Sequence, residues 1–216
     1  MHDFTFCEDG ILWNATLCIR EFLSTRLRAE LRGKTVLELG AGLGLLGLGV
    51  SDLGANVVIT AMPSEMDALK KRVELHLAER SSKEGGPGNV ETFPLLWGTE
   101  SFHSSDLSRS MKEKKIDLIL CCDLIYDEDV TELLIDTLNI LADENPGVVI
   151  LNILLERPFC GLFFHRLSDE GFTMYHVTEN CYDTLGLENV NLDWICKGPL
   201  PEWAAATRKP PQKTQA

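Results

Sequence analysis

Thr35-Val36-Leu37-Glu38-Leu39-Gly40-Ala41-Gly42-Leu43-Gly44 reads as a short apolar strand running into a glycine loop. The apolar run from Leu45 to Leu53, stopped by Gly54, reads as the helix behind that loop, and the β-branched stretch Asn56 to Thr60 as a second strand. Strand, loop, helix and strand make one parallel crossover unit. Open parallel sheets take their ligands at the carboxyl ends of the strands, and glycine lacks the Cβ that would hold a ligand away from the backbone. The loop is therefore the first candidate for a binding site.

Two cofactors compete for it. Gly42-Leu43-Gly44-Leu45-Leu46-Gly47 satisfies the six-residue glycine pattern that seats a dinucleotide pyrophosphate on a helix end. Glu38, two residues before Gly40, favours the other choice. An acid beside the loop suits the cationic methionine end of S-adenosylmethionine and repels a pyrophosphate. A plainer alternative is that the glycines only let strand and helix pack closely. The binding reading makes Glu38, Gly40, Ala41, Gly42 and Gly44 cofactor residues.

Working outward, helical spacing from Trp13 through Phe22 and Leu27 to Leu31, stopped by Gly33, predicts an entry helix. Ser64 is expected to cap a helix with Asp67 at its third position, running to about Glu79. A polar, glycine-rich connector over 81–89 leads to a third strand, Val90 to Leu96. Beyond a polar stretch ending at Lys115, Ile116 to Cys122 is a strand apolar enough for burial on both faces. Helix Val130 to Leu141, strand Val148 to Leu154, helix Phe159 to Asp169, and strands Thr173 to Val177 and Val190 to Cys196 complete the pattern. The fold class is α/β: a mostly parallel seven-stranded sheet ending in an antiparallel hairpin, with helices on both faces. One domain over 1–203 and a disordered tail over 204–216 are expected.

Asp123-Leu124-Ile125-Tyr126 follows the fourth strand directly, on the same sheet edge as the glycine loop. A carboxylate and a phenol there could orient an amine nucleophile for methyl transfer. Alternatively, Asp123 caps the next helix and Tyr126 packs on it. Trp13 and Trp97 stand near predicted loops, where each could cover an adenine or a sulfonium or could anchor the core.

The chain has 33 acidic and 20 basic side chains among 216 residues, a net charge of −13. Such a field repels phosphate backbones and attracts basic protein segments, so nucleic acid is not the expected partner. Seven cysteines form no Cys-x-x-Cys pair and carry no zinc-like histidine spacing, which reads as reduced thiols with no metal site. No apolar run reaches membrane-spanning length and the start shows no signal-peptide pattern. A monomer in the cytoplasm, and also in the nucleus, is the expectation.

Gly10-Ile11-Leu12-Trp13-Asn14-Ala15, Val36 to Gly44, Leu96-Trp97-Gly98 and Asp117 to Tyr126 together resemble the seven-β-strand (class I) protein-lysine methyltransferases of the methyltransferase-like group. The likeness runs in order from about Phe6 to Leu200. It implies a Rossmann-like fold, S-adenosylmethionine as cofactor, and transfer to a lysine of another protein. By position, it implies that Trp13, Gly40, Ala41, Gly42, Trp97 and Cys122 line the cofactor site while Asp123 and Tyr126 face the substrate lysine. Glu156-Arg157 is similar to a Glu-Arg pair after the family's fifth strand.

The pattern breaks at three places. The family usually shows Thr-Asp after the second strand, its carboxylate holding the ribose hydroxyls, whereas this chain has Thr60-Ala61. Glu65, one turn on, is the candidate substitute for the acid missing at Ala61. Arg72 stands where the family often has Asn, and Leu96 where Asp often precedes the Trp. These departures keep two other readings open: a degenerate fold serving as a protein-interaction module, and a small-molecule methyltransferase.

Overall fold

The computed structural model describes residues 10–80, 88–112, 114–155, 160–177 and 190–208, leaving aside the side chains of 10–15 and 155. Its elements follow the alternation read from the sequence. They are α1 (Gly10–Arg26), α2 (Arg28–Leu31), β1 (Thr35–Leu39), α3 (Leu45–Ser51), β2 (Asn56–Ala61), α4 (Met66–Arg80) and β3 (Val90–Pro94). There follow α5 (Thr99–Ser104), α6 (Asp106–Met111), β4 (Leu118–Cys122), α7 (Glu128–Glu144), β5 (Val149–Leu155), α8 (Cys160–Asp169), β6 (Thr173–His176), β7 (Val190–Cys196) and α9 (Glu202–Ala205).

The seven-stranded sheet has the order β3-β2-β1-β4-β5-β7-β6. Strands β1 to β5 pair in parallel, and β7 runs antiparallel between β5 and β6. The order reverses direction at β1, with β2 on one side and β4 on the other, so the loops after β1 and β4 share the switch-point crevice. Register fixes this: Leu39 at the end of β1 pairs with Cys121, two residues before Asp123.

Each sheet face carries its own core. Ile19, Phe22, Leu46, Val57 and Trp194 pack beneath α1, α3 and α4. Leu37, Val58, Ile119, Leu138 and Phe163 pack beneath α5 to α8. A strand buried on both sides must be apolar at successive positions, which is why Leu118-Ile119-Leu120-Cys121 shows no alternation.

Four expectations are corrected. The entry helix breaks at Leu27 into α1 and α2. Ser64 does not cap α4: Pro63, with its fixed φ, opens a 3₁₀ turn Pro63–Glu65, and the Glu65 carboxylate accepts a hydrogen bond from the Met62 amide at 3.3 Å. The polar stretch before β4 contains α5 and α6, the latter capped by the Ser105 hydroxyl, which accepts from the Ser108 amide at 3.0 Å. The expected disorder does not begin at 204. Thr207 is buried and its hydroxyl accepts a hydrogen bond from Trp194 Nε1 at 2.8 Å, while Trp203 meets Trp194 edge-on at 5.4 Å. Residues 209–216 and Glu156-Arg157 lie outside the described residues.

Candidate active site

The glycine loop is a tight turn held from both sides. The Ala41 amide donates to the Thr60 carbonyl at 2.8 Å, the Gly44 amide to the Ala41 carbonyl at 2.8 Å, and the Thr60 hydroxyl to the Glu38 carbonyl at 2.8 Å. Gly40, Gly42 and Gly44 have φ of 57°, 51° and 71°, a backbone that other residues enter only with strain. Their surroundings differ. A Cβ on Gly40 would stand 2.8 Å from Leu124 and 3.0 Å from Trp97, and one on Gly44 would stand 2.6 Å from Leu69. A Cβ on Gly42 would meet nothing within 4 Å among the described residues, so there the loop is packed at both ends and open in the middle.

Glu38, expected beside the ligand, makes its described contact with the helix behind the loop. Its carboxylate is buried and turns onto α3, accepting a hydrogen bond from the Gly47 amide at 2.8 Å. Burial pushes its pKa up to about 8, only partly offset by that amide. The bond fixes strand, loop and helix together, so the described contact of Glu38 is structural support of the loop. It also occupies an amide in the first turn of α3, the turn on which a dinucleotide pyrophosphate would rest.

Trp97 and Leu124 reach Gly40 from two other loops, joining the ends of β3 and β4 to the glycine turn. Trp97 is half-buried, and the neighbouring Gly98 amide donates to the Thr137 hydroxyl of α7 at 2.9 Å. At the end of β4, the half-buried Cys122 thiol lies 3.7 Å from the Thr16 hydroxyl of α1. Burial pushes that thiol up to about 12, which keeps it neutral and non-nucleophilic. The Thr16 contact brings α1 to the crevice one turn after Trp13, whose own side chain lies outside the described residues.

Asp123 is buried at 6% exposure and has a φ of 55°, a left-handed backbone that aspartate tolerates better than most residues. Its amide donates to the Ile153 carbonyl at 2.7 Å, pinning this turn to β5. The cap of α7 is Asp127, whose carboxylate accepts from the Val130 amide at 3.1 Å, so the helix-capping reading of Asp123 does not hold. Tyr126 is 55% exposed, at the outer end of the segment. Sequence reasoning missed Thr16 and Leu124, which carry no chemistry of their own and matter only through contact.

The crevice therefore holds a glycine turn open at Gly42, an indole beside it and a buried carboxylate across the switch point. These groups fit S-adenosylmethionine, which Gly40, Ala41, Gly42, Trp97 and Cys122 would hold. One element differs. Ala61 is buried in the core at the end of β2, so no acid projects there, and Glu65, folded back on Met62, is the carboxylate beside that strand end.

Fold and site define a Rossmann-like class I methyltransferase. The magnesium protoporphyrin IX methyltransferase of Synechocystis, solved with S-adenosylmethionine, superposes with a TM-score of 0.56 at 15% identity, covering 92% of this chain and 86% of that one. The 16S rRNA methyltransferase RsmC of Thermus thermophilus gives 0.52 at 18% identity, covering 86% and 43%. At such identities the likeness is one of fold. The lysine methyltransferase family model matches residues 7–168, three quarters of the chain, and the chain belongs to that family, with S-adenosylmethionine as its cofactor. Among relatives, the chain is 24% identical to EEF1A lysine methyltransferase 3 of Xenopus tropicalis over 83% of its length and 73% of the relative's. It is 32% identical to mouse protein N-lysine methyltransferase METTL21A over 65% and 59%, and 33% identical to protein-lysine N-methyltransferase EFM3 of Chaetomium thermophilum over 67% and 42%. The match thus spans under two thirds of the mouse and fungal relatives.

Proposed function

We propose that this chain transfers a methyl group from S-adenosylmethionine to the side-chain amine of a lysine in another protein, and that its substrate segment is basic. The observation that carries the reading is the convergence of Trp97 and Leu124 on Gly40, which sets the open face at Gly42 and the buried Asp123 in one crevice. Bound, the cofactor supplies a methyl group activated by its sulfonium sulfur.

The rest of the work falls to the chain. Asp123 attracts and positions the lysine ammonium, and because a nearby carboxylate raises an amine's pKa, proton loss goes to water. The Asp123 turn is held by β5 through its amide, so the carboxylate is placed before substrate arrives. Beside exposed Tyr126, the exposed Asp127, Glu128 and Asp129 form an acidic approach that suits a basic segment. The EEF1A methyltransferase is named for a protein substrate, which supports the same class here.

Calorimetric titration with S-adenosylhomocysteine tests the first half of the proposal. Micromolar binding is expected, and no binding at millimolar ligand would favour the non-enzymatic interaction module.

A further inference from the structure

The outer surface of α3 is recessed between α1 and α4, leaving two adjoining hollows of about 680 and 500 Å³. Both are floored by Gly49 and Asp52 and share Arg20 and Arg80. None of the crevice residues lines them. Besides Arg80, four cations do: Arg20 and Arg28 from the α1–α2 wall, Lys71 and Arg72 from the α4 wall. Among the described residues none of the four has an ion-pair partner. Elsewhere, Lys34, Arg109, Lys114, Arg166 and Lys197 each meet a carboxylate.

Among the described residues, the acids of the trough leave these four unpaired. Asp52 is already engaged by His76 at 3.0 Å and Arg80 at 2.6 Å, so the floor is neutralised. The other acids in the lining are Glu21 and Glu79, both exposed. A Cβ on Gly49 would stand 2.5 Å from Arg20 Nε, so this glycine lets Arg20 lie across α3 towards the wall that carries Arg72. Arg72 Nε is itself buried without a hydrogen-bond partner among the described residues, a donor that an incoming acceptor would satisfy.

We propose that this trough is a second binding surface, separate from the crevice, that takes an acidic amphipathic segment of a partner protein. Arginine forks on facing walls match carboxylates in pairs, and Leu45, Leu48 and the exposed Leu75 give apolar residues somewhere to rest. Nucleic acid fits less well. Among the described residues the lining carries no Phe, Tyr or Trp to stack bases, and the net charge of −13 opposes a long phosphate chain at distance.

Fluorescence anisotropy on the full chain tests this with a labelled peptide of roughly 16 residues, long enough to form a helix when bound, built from alternating Glu and Leu pairs. A Gln-for-Glu version of the peptide and an oligouridine of similar length are the comparison probes. Saturable binding of the acidic peptide is expected, weakened at least about tenfold by Arg20→Glu with Arg72→Glu. The charge-matched Lys70→Glu with Lys112→Glu, at exposed positions outside the trough, should leave it unchanged. S-adenosylhomocysteine binding by the trough variant verifies its fold and keeps the outcome separate from that of the methyltransferase reading. Equal anisotropy for wild type and trough variant, including no binding by either, would overturn the proposal, as would tighter binding of oligouridine.

Discussion

The Glu38 carboxylate, sealed beneath α3, accepts the Gly47 amide at 2.8 Å and so ties the strand before the glycine loop to the helix after it. Burial raises its pKa from 4.5 to about 8. Between those values the native state holds a proton that the unfolded chain has released. The stability this group contributes is full below about pH 4.5 and declines as pH rises towards 8, by up to about 1.4 kcal/mol per pH unit. Glu38→Gln keeps an acceptor for Gly47 and removes the titration. Urea midpoints measured from pH 5.5 to 8 should fall for wild type and stay flatter for the variant; parallel curves would show that Glu38 does not titrate in this range.

Gly40 and Gly42 share a left-handed backbone but not their surroundings. The Gly42→Ala methyl meets no atom of the described residues within 4 Å, so its stability cost is set by strain of about 1–2 kcal/mol. Its methyl group enters the open face, and S-adenosylhomocysteine binding should weaken by about tenfold or more. Gly40→Ala adds a clash with Leu124 and Trp97 and should destabilise further, by about another 1–3 kcal/mol. Urea denaturation beside calorimetry separates the two; unchanged affinity in Gly42→Ala would move the ligand elsewhere.

Ala61 leaves the end of β2 without an acid, and Glu65 is the carboxylate beside it. If Glu65 holds the ribose hydroxyls, Glu65→Gln should weaken S-adenosylhomocysteine by roughly ten- to a hundredfold, the scale of one charged hydrogen bond. Affinity within twofold of wild type would remove Glu65 from the site.

The Trp194–Thr207 bond fastens the segment after α9 to the core. Thr207→Val preserves shape and leaves the indole N–H unpaired, which should cost about 1–3 kcal/mol in urea unfolding. No loss would mean that this buried donor finds another acceptor.

The parallel sheet was legible because its strands are apolar runs punctuated by Gly33, Gly54 and Gly147, and the switch point follows once β1 and β4 are known. Thr207 is not legible as ordered because the residues that follow it, Arg208-Lys209-Pro210-Pro211-Gln212, are polar and proline-rich, whereas its order comes from Trp194, a long-range contact that no local window contains. Glu38 was found for its charge near the loop, yet its described partner is Gly47, nine residues on, reached only once α3 folds back. Leu124 and Thr16 show the same limit, because an ordinary leucine or threonine gains a role at the site only through what it touches.

Asp123 is where the proposed chemistry and a left-handed backbone coincide, and Asp123→Asn is the informative change because asparagine also tolerates a φ of 55°. Wild type and variant should be incubated with methyl-labelled S-adenosylmethionine in a cell extract, and the labelled products located by mass spectrometry. Methyl-lysine in a protein with wild type, and its loss in a variant that still binds S-adenosylhomocysteine, is the expected result. Label confined to small molecules or RNA, or equal labelling by both proteins, would contradict it.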